Sequence, residues 1–106
     1  MPTRSRTEAE LADTEAVFAA LAHASRRHVL LVLHFRGGRM TAGEIADRFG
    51  CSWPTTSRHL RVLEAAGLVH VEKRGRERVY RLDEERLQQV TSRWLGVFER
   101  KAERDA

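Results

Sequence analysis

Apolar residues recur at every third or fourth position along most of this 106-residue chain, which is the spacing of helices with one buried face. Five helices follow from this pattern. They are predicted from Thr7 to about Leu21, from Ser25 to Gly37, from Thr41 to Gly50, from Ser52 to Gly67, and from Asp83 onward. The second helix is apolar on nearly all sides, which favours a central position in the fold.

The third and fourth helices have recognisable capping residues. Thr41 and Glu44 have the spacing of a capping box, in which each side chain binds a backbone N–H at the helix start. Gly50 is predicted to end the third helix in the left-handed conformation. Ser52 is predicted to cap the fourth helix, with Pro54 in the first turn, where its missing N–H costs nothing.

The period of the hydrophobic pattern changes after Gly67. Residues 68–73 and 77–82 are rich in β-branched and aromatic side chains, and Arg74-Gly75-Arg76 separates them. This pattern predicts a β-hairpin with a glycine in its loop. The expected fold is therefore mainly α with a small β-hairpin, four helices followed by two strands and a fifth helix, which is a winged helix-turn-helix.

The loop of the predicted hairpin is surrounded by four cations, Lys73, Arg74, Arg76 and Arg78. Charges on an edge strand protect it against aggregation. A basic hairpin after a helix-turn-helix can also be a wing that lies along a phosphate backbone. Four cations around one loop exceed what protection of an edge requires, so the pattern favours the wing.

The fourth helix has a buried and an exposed side when successive residues are placed about 100° apart. Its inner side carries Thr56, Leu60 and Leu63. Its outer side carries Pro54, Arg58 and Arg61, flanked by Thr55, Ser57 and His59. An ordinary solvated face can look like this, but hydroxyls, guanidiniums and an imidazole also suit contacts with base edges and phosphates in a major groove.

The net charge of +4 comes from the middle of the chain. Residues 52–82 carry seven basic and three acidic side chains, whereas residues 1–51 carry seven and six, and residues 83–106 carry five and six. One end of the fold is therefore cationic, which indicates a polyanionic partner such as double-stranded DNA.

Length and composition predict a flexible tail over residues 1–6 and a single domain over residues 7–106. We expect neither a membrane span nor a signal peptide, because the chain has no long apolar run. A single cysteine excludes an intramolecular disulfide and favours a reduced, cytoplasmic setting.

The first and last helices carry apolar stripes, and a domain of this size has few remaining residues that could cover them. Both could pack on their own domain, but a second copy of the chain is the favoured solution, and it gives a homodimer. The predicted dimer interface consists of Leu11, Val17, Phe18, Leu87, Val90, Trp94, Val97 and Phe98.

Three stretches of the chain resemble the ArsR/SmtB family of winged-helix regulators: FAALAHASRRHVLLVL at 18–33, TAGEIADRFGCSWPTTSRHLRVLEAAGLV at 41–69, and RGRERVYRL at 74–82. The chain departs from the family pattern at His23-Ala24, where Asp-Pro is usual, and at Thr56, where an aliphatic residue is usual. The resemblance implies that the fourth helix enters the major groove with Ser52, Pro54, Thr55, Ser57, Arg58, His59 and Arg61.

Metal-sensing members of that family carry paired cysteines on the third helix or Asp and His ligands on the last helix. Here the segment GEIADRF has no cysteine, and no histidine follows His70. His23, His28 and His34 do not share a helical face, so they do not supply the converging ligands that a metal site needs. We therefore expect no metal and no cofactor. The Cys51 thiol could respond to oxidation, but a half-buried apolar role is favoured.

These observations favour a homodimeric, sequence-specific DNA-binding protein that recognises an inverted repeat in a promoter, and the resemblance implies that it is a repressor. The alternative is a winged-helix module that binds a protein or RNA. Catalysis is the weakest hypothesis, because Ser57 and His59 diverge on their helix and Cys51 has no orienting His–Asp pair apparent nearby. We expect the protein not to be an enzyme.

Overall fold

The computed structural model describes residues 6–50 and 52–105, with side chains up to Glu99. Its elements are α1 (Arg6–Leu21), α2 (Ala24–Phe35), β1 (Arg39–Thr41), α3 (Ala42–Arg48), α4 (Trp53–Ala65), β2 (Val69–Arg74), β3 (Glu77–Leu82) and α5 (Glu84–Asp105). The predicted five helices and hairpin are confirmed. Helix α1 begins at Arg6, which the sequence assigned to the tail. Residues 1–5 and Cys51 lie outside the described part of the chain.

Helix α2 is bounded by caps at both ends. The Nδ1 atom of His23, the N-cap residue, accepts a hydrogen bond from the Ser25 N–H at 3.3 Å. At the other end the Gly38 N–H donates to the Leu33 carbonyl at 2.8 Å and the Gly37 N–H to the His34 carbonyl at 3.2 Å. This Schellman closure needs a left-handed residue at Gly37, where φ is +86°.

The predicted capping box of α3 is confirmed. The Thr41 hydroxyl accepts from the Glu44 N–H at 3.1 Å, and the Thr41 N–H donates to the Glu44 carboxylate at 2.9 Å. The prediction for Gly50 was wrong, because its φ is not positive. Helix α3 instead ends at Phe49 in extended backbone, with φ of −102° and ψ of 126°.

Ser52 and Pro54 open α4 as predicted, but Ser52 acts differently from the expectation. Ser52 is the N-cap residue and Pro54 lies in the first turn. The Ser52 hydroxyl makes no capping bond to the backbone and instead donates to the Thr55 hydroxyl at 3.1 Å. Helix α4 closes at Gly67, with φ of +78°, in a second Schellman arrangement.

Three antiparallel strands form one sheet in the order β1-β3-β2. The hairpin register pairs Val71 with Tyr80 and Lys73 with Arg78. Strand β1, which was not predicted, adds Met40 opposite Tyr80 on the other side of β3. The sheet thus connects the wing to the start of α3, because β1 runs directly into that helix.

The hydrophobic core lies where α1, α2, α4 and the sheet meet. It contains Val17, Val29, Leu33, Ile45, Leu60, Leu63, Leu68, Val69, Tyr80 and Val90. Helix α2 is central as predicted, but it keeps one open side, since Leu31 is 56% exposed and Phe35 78%. Among the described residues no single helix has the length and hydropathy to cross a membrane. Helices α1 and α2 pass that test only as a pair bent by 93°.

Candidate nucleic-acid interface

Helix α4 presents the face that the sequence predicts. Thr56, Leu60 and Leu63 are buried against the core. On the opposite side Ser52, Pro54, Arg58 and Arg61 are exposed, and Thr55, Ser57 and His59 are half-buried on the flanks. The predicted division of α4 into two sides is therefore confirmed, whereas the contacts of these residues with DNA remain a prediction.

His59 differs from the other outward residues of α4 because it is packed against α2. Its ring centroid lies 4.6 Å from that of His23, and its Nδ1 atom lies 3.4 Å from Nη1 of Arg26. Desolvation lowers the pKa of His59, and the charges of His23, Arg26 and Arg58 lower this pKa further. His59 therefore favours the neutral form and joins α4 to the start of α2.

The wing is a hairpin whose loop glycine, Gly75, has φ of +62°. All four predicted cations of the wing, Lys73, Arg74, Arg76 and Arg78, are exposed. Arg74 lies 3.6 Å from the Glu72 carboxylate, and Glu72 also pairs with Arg81 at 3.4 Å. The other three cations form no ion pair within the described residues, so their charges are available to a ligand.

A groove of about 420 Å³ separates α4 from the wing and brings cations of both elements together. Arg61 of α4 faces this groove with Lys73 and Arg78 of the wing. Glu64 is the single carboxylate among the described residues that line it. The structure thus places three of the predicted site residues around one cationic groove, while Arg58 and Arg76 lie outside it.

Trp53 is a candidate site residue that the sequence reasoning missed. It is the first residue of α4 and is 38% exposed. It lines a second cleft, of about 470 Å³, with Arg76 and Arg78 of the wing and with Thr41 and Gly43 at the start of α3. The available signal was a large aromatic residue directly after the predicted N-cap Ser52, at the start of the helix that carries the other predicted site residues.

The predicted dimer interface divides into exposed and buried residues. Leu11, Trp94, Val97 and Phe98 are between 46% and 61% exposed. Phe18 is half-buried under Trp94, with ring centroids 5.2 Å apart, and Trp94 contacts Phe98 at 5.0 Å. These residues form the apolar seam, the name used below for Leu11, Phe18, Trp94, Val97 and Phe98.

Two residues assigned to the interface from the sequence belong to the core of the protomer instead, and a third packs against that core. Val17 is 0% exposed and Val90 is 2% exposed, so neither offers surface to a partner. Leu87 is half-buried and packs against the same core. The helical stripe contains them because α1 and α5 must pack on their own domain before their outer edges can meet another chain.

His28 and His34 contact different residues and do not meet each other. His28 packs edge-on against Phe49 with ring centroids 5.1 Å apart, and His34 pairs with Glu84. In the part of the chain that the structure describes, no group of three or more His, Cys, Asp or Glu is placed to hold a metal ion.

Comparisons with known proteins agree with this architecture. A helix-turn-helix domain family matches residues 21–72. The chain is 36% identical over 89 residues to the transcriptional repressor SdpR of Bacillus subtilis, covering 84% of this chain and 96% of that protein. It is also 36% identical over 62 residues to the transcriptional repressor SmtB of Mycobacterium tuberculosis, covering 58% of this chain and 46% of that protein.

Solved structures give the same result. An ArsR-like transcriptional regulator from Rhodococcus sp. RHA1 superposes with a TM-score of 0.75 at 32% identity, over 90% of this chain and 87% of that one. The homodimeric winged helix-turn-helix DNA-binding domain of Mb0332 from Mycobacterium bovis, a possible ArsR-family regulator, superposes with a TM-score of 0.70 at 28% identity, over 93% and 92%. The chain belongs to the ArsR/SmtB family of winged helix-turn-helix transcriptional regulators.

Proposed function

We propose that this protein is a homodimeric repressor that binds a specific inverted repeat in double-stranded DNA. The observation that carries the proposal is the convergence of Arg61 with Lys73 and Arg78 around one groove. When α4 enters the major groove of the DNA, cations on these two elements can contact phosphates on both sides of it. The outer residues of α4 would contact base edges, and the wing would contact the flanking backbone.

Dimerisation is supported by the apolar seam and by a relative. Trp94, Val97 and Phe98 are each about half exposed on one helix, which is unfavourable for a monomer in water. The related domain of Mb0332 is homodimeric. A two-fold axis through the seam would present two copies of α4 to the same side of a duplex. This arrangement requires half-sites about one helical turn apart, roughly 34 Å.

Repression is supported by the relatives SdpR and SmtB, which are both transcriptional repressors. A small dimer that occupies a promoter can exclude polymerase without any further domain. Binding of about eight phosphates per dimer gives a log–log salt slope of about −7.

Selection from a pool of random duplexes tests the proposal. The purified protein should enrich an inverted repeat, and the enriched duplex should compete at least about a hundredfold better than a scrambled one, within the usual range for specific binding. RNA of the same sequence should not compete. Enrichment of no sequence, or preferential binding of RNA, would contradict the proposal.

A further inference from the structure

A cavity behind the helix-turn-helix has the chemistry of a ligand site. It measures about 250 Å³ and opens between α2, the end of α3 and α4. Six of the residues that line it supply polar or aromatic groups: Ser25, His28, Arg48, Phe49, Thr56 and His59. We call it the HTH cavity. It is separate from the groove between α4 and the wing, with which it shares no lining residue.

Thr56 gives the HTH cavity an unused hydrogen-bonding group. The residue is 3% exposed, and its hydroxyl has no hydrogen-bond partner within the described residues. The hydroxyls of Thr14 and Thr91, by contrast, donate to the carbonyl four residues earlier in their own helices, at 2.9 and 2.7 Å. A buried hydroxyl without a partner costs free energy, so a helix has reason to avoid this arrangement.

The Thr56 hydroxyl keeps some exposure on a residue that lines the HTH cavity. Among the described residues, no fully enclosed side-chain nitrogen or oxygen lacks a partner, so this hydroxyl is not sealed inside the core. Thr56 itself lines the cavity. An unpartnered hydroxyl that keeps some exposure on a residue lining a cavity is available to a group that enters that cavity.

The charge of the HTH cavity is positive or neutral. Arg48 lines it with the imidazoles of His28 and His59, and Arg26 lies behind His59 at 3.4 Å. No carboxylate occurs among the described residues that line it. This electrostatic environment favours an anion.

The HTH cavity also has apolar walls. Val29 of α2 and the ring of Phe49 line it, and His28 packs edge-on against that ring at 5.1 Å. A bare inorganic anion would leave these walls without a contact. A small anion with an apolar body would fill both parts of the cavity, as is usual for small-molecule sites.

We propose that the HTH cavity binds a small organic carboxylate. Its apolar body would pack against Val29 and Phe49, its carboxylate would face Arg48 and His28, and the Thr56 hydroxyl would donate a hydrogen bond to it. The residues that hold it belong to both helices of the helix-turn-helix, since Arg48 is the last residue of α3 and Thr56 and His59 lie on α4.

A bound carboxylate would also affect DNA, a step that rests on the proposed DNA-binding function. It would place a negative charge behind α4, beside His59. Because DNA phosphates are negative, the affinity for a duplex should fall. The site would then act as an effector site on the recognition unit itself.

Thermal unfolding of the whole protein without DNA tests the site, with benzoate as the probe and benzyl alcohol as its neutral counterpart. We expect 10 mM benzoate (on the order of ten times a millimolar Kd) to raise Tm by about 2 °C or more, and benzyl alcohol or phosphate to raise it far less. Thr56→Val should melt at least as high as wild type without ligand, and should lose the benzoate response. The matched control Thr91→Val should keep that response.

Arg48→Gln should weaken benzoate binding about tenfold in calorimetry. The proposal is overturned if benzoate leaves Tm unchanged, if Thr56→Val responds like wild type, or if benzyl alcohol or phosphate acts as strongly as benzoate. Duplex affinity is then measured with benzoate present, where wild type should lose at least about threefold and Thr56→Val should not. A protein that responds to benzoate in melting but binds no duplex would refute the DNA-binding function and leave the site intact.

Discussion

The guanidinium of Arg86 covers Gly67 so closely that a Cβ atom on Gly67 would lie 2.9 Å from Arg86 Nε. Arg86 is held in this position from two sides. Its Nε donates to the Ala66 carbonyl at 3.3 Å, and its Nη2 donates to the Asp13 carboxylate at 3.2 Å. One side chain of α5 therefore joins the end of α4 to α1, which connects α4 to the helices of the apolar seam.

Gly67→Ala should destabilise the protein by about 2 kcal/mol or more. The new side chain must adopt φ of +78°, and it must also displace Arg86 from its two hydrogen bonds. Gly75→Ala is the matched control, because Gly75 has φ of +62° but a Cβ added there would meet no neighbouring side chain or backbone within 4 Å. The control should lose only about 1 kcal/mol. Urea unfolding measures both, and equal losses would show that Arg86 imposes no constraint.

His59 should titrate below the ordinary histidine pKa of about 6.5. Desolvation is the main cause, and the neighbouring His23, Arg26 and Arg58 contribute to the lower pKa. At pH values between the pKa of His59 in the folded chain and about 6.5, the unfolded chain binds more protons than the folded chain. The free energy of unfolding that neutral His59 contributes therefore falls as the pH drops through this range. His59→Gln should flatten that part of the pH–stability curve. NMR titration of the imidazole checks the pKa, and a value at or above 6.5 would contradict the packing described.

Arg58 and Arg76 should contribute to DNA binding in different ways. Arg58 lies on the outer side of α4, so Arg58→Ala should cost about 1–3 kcal/mol on the selected duplex and little on a scrambled one. Arg76 lies at the wing loop, so Arg76→Ala should weaken both duplexes alike and reduce the salt slope by about one. Fluorescence anisotropy on the two duplexes separates these effects. The same loss on both duplexes for both variants would refute the assignment.

Trp94→Asp should convert the proposed dimer into monomers. Trp94 is 46% exposed in the middle of the apolar seam, between Phe18 and Phe98, and a carboxylate there would have to be buried in the interface. Phe35→Asp is the control, since Phe35 is 78% exposed but lies on α2 outside the seam. Sedimentation equilibrium should show a monomer for the first variant and a dimer for the second. A dimer in both would place the interface elsewhere.

Local signals in the sequence predicted most of the fold. The capping box at Thr41, the loop at Gly75 and the buried side of α4 each depend on residues close in sequence, and the structure confirms all three. Strand β1 was missed because three residues are too few for an alternating pattern, and it exists only through pairing with β3. The conformation of Gly50 was missed because a helix can also end in extended backbone.

The candidate site was predicted less completely, since long-range packing decides much of it. His59 contacts His23, which lies 36 positions away in the sequence, and the hydrophobic periodicity of the helices does not predict this contact. The burial of Val17 and Val90 depends on how α1 and α5 pack across the domain. The apolar pattern of each helix does not show which of its residues face the core and which face a partner. Trp53 was missed because its exposure depends on where the wing lies.

Two copies of this chain should bind side by side on one duplex, and the proposed repressor function depends on that arrangement. Sedimentation velocity with a fluorescent duplex that carries the selected inverted repeat measures it. We expect a single complex of two protein chains per duplex, formed from a dimer that already exists at micromolar concentration. A protein that sediments as one chain, and leaves the duplex unshifted at low salt, would rule the arrangement out.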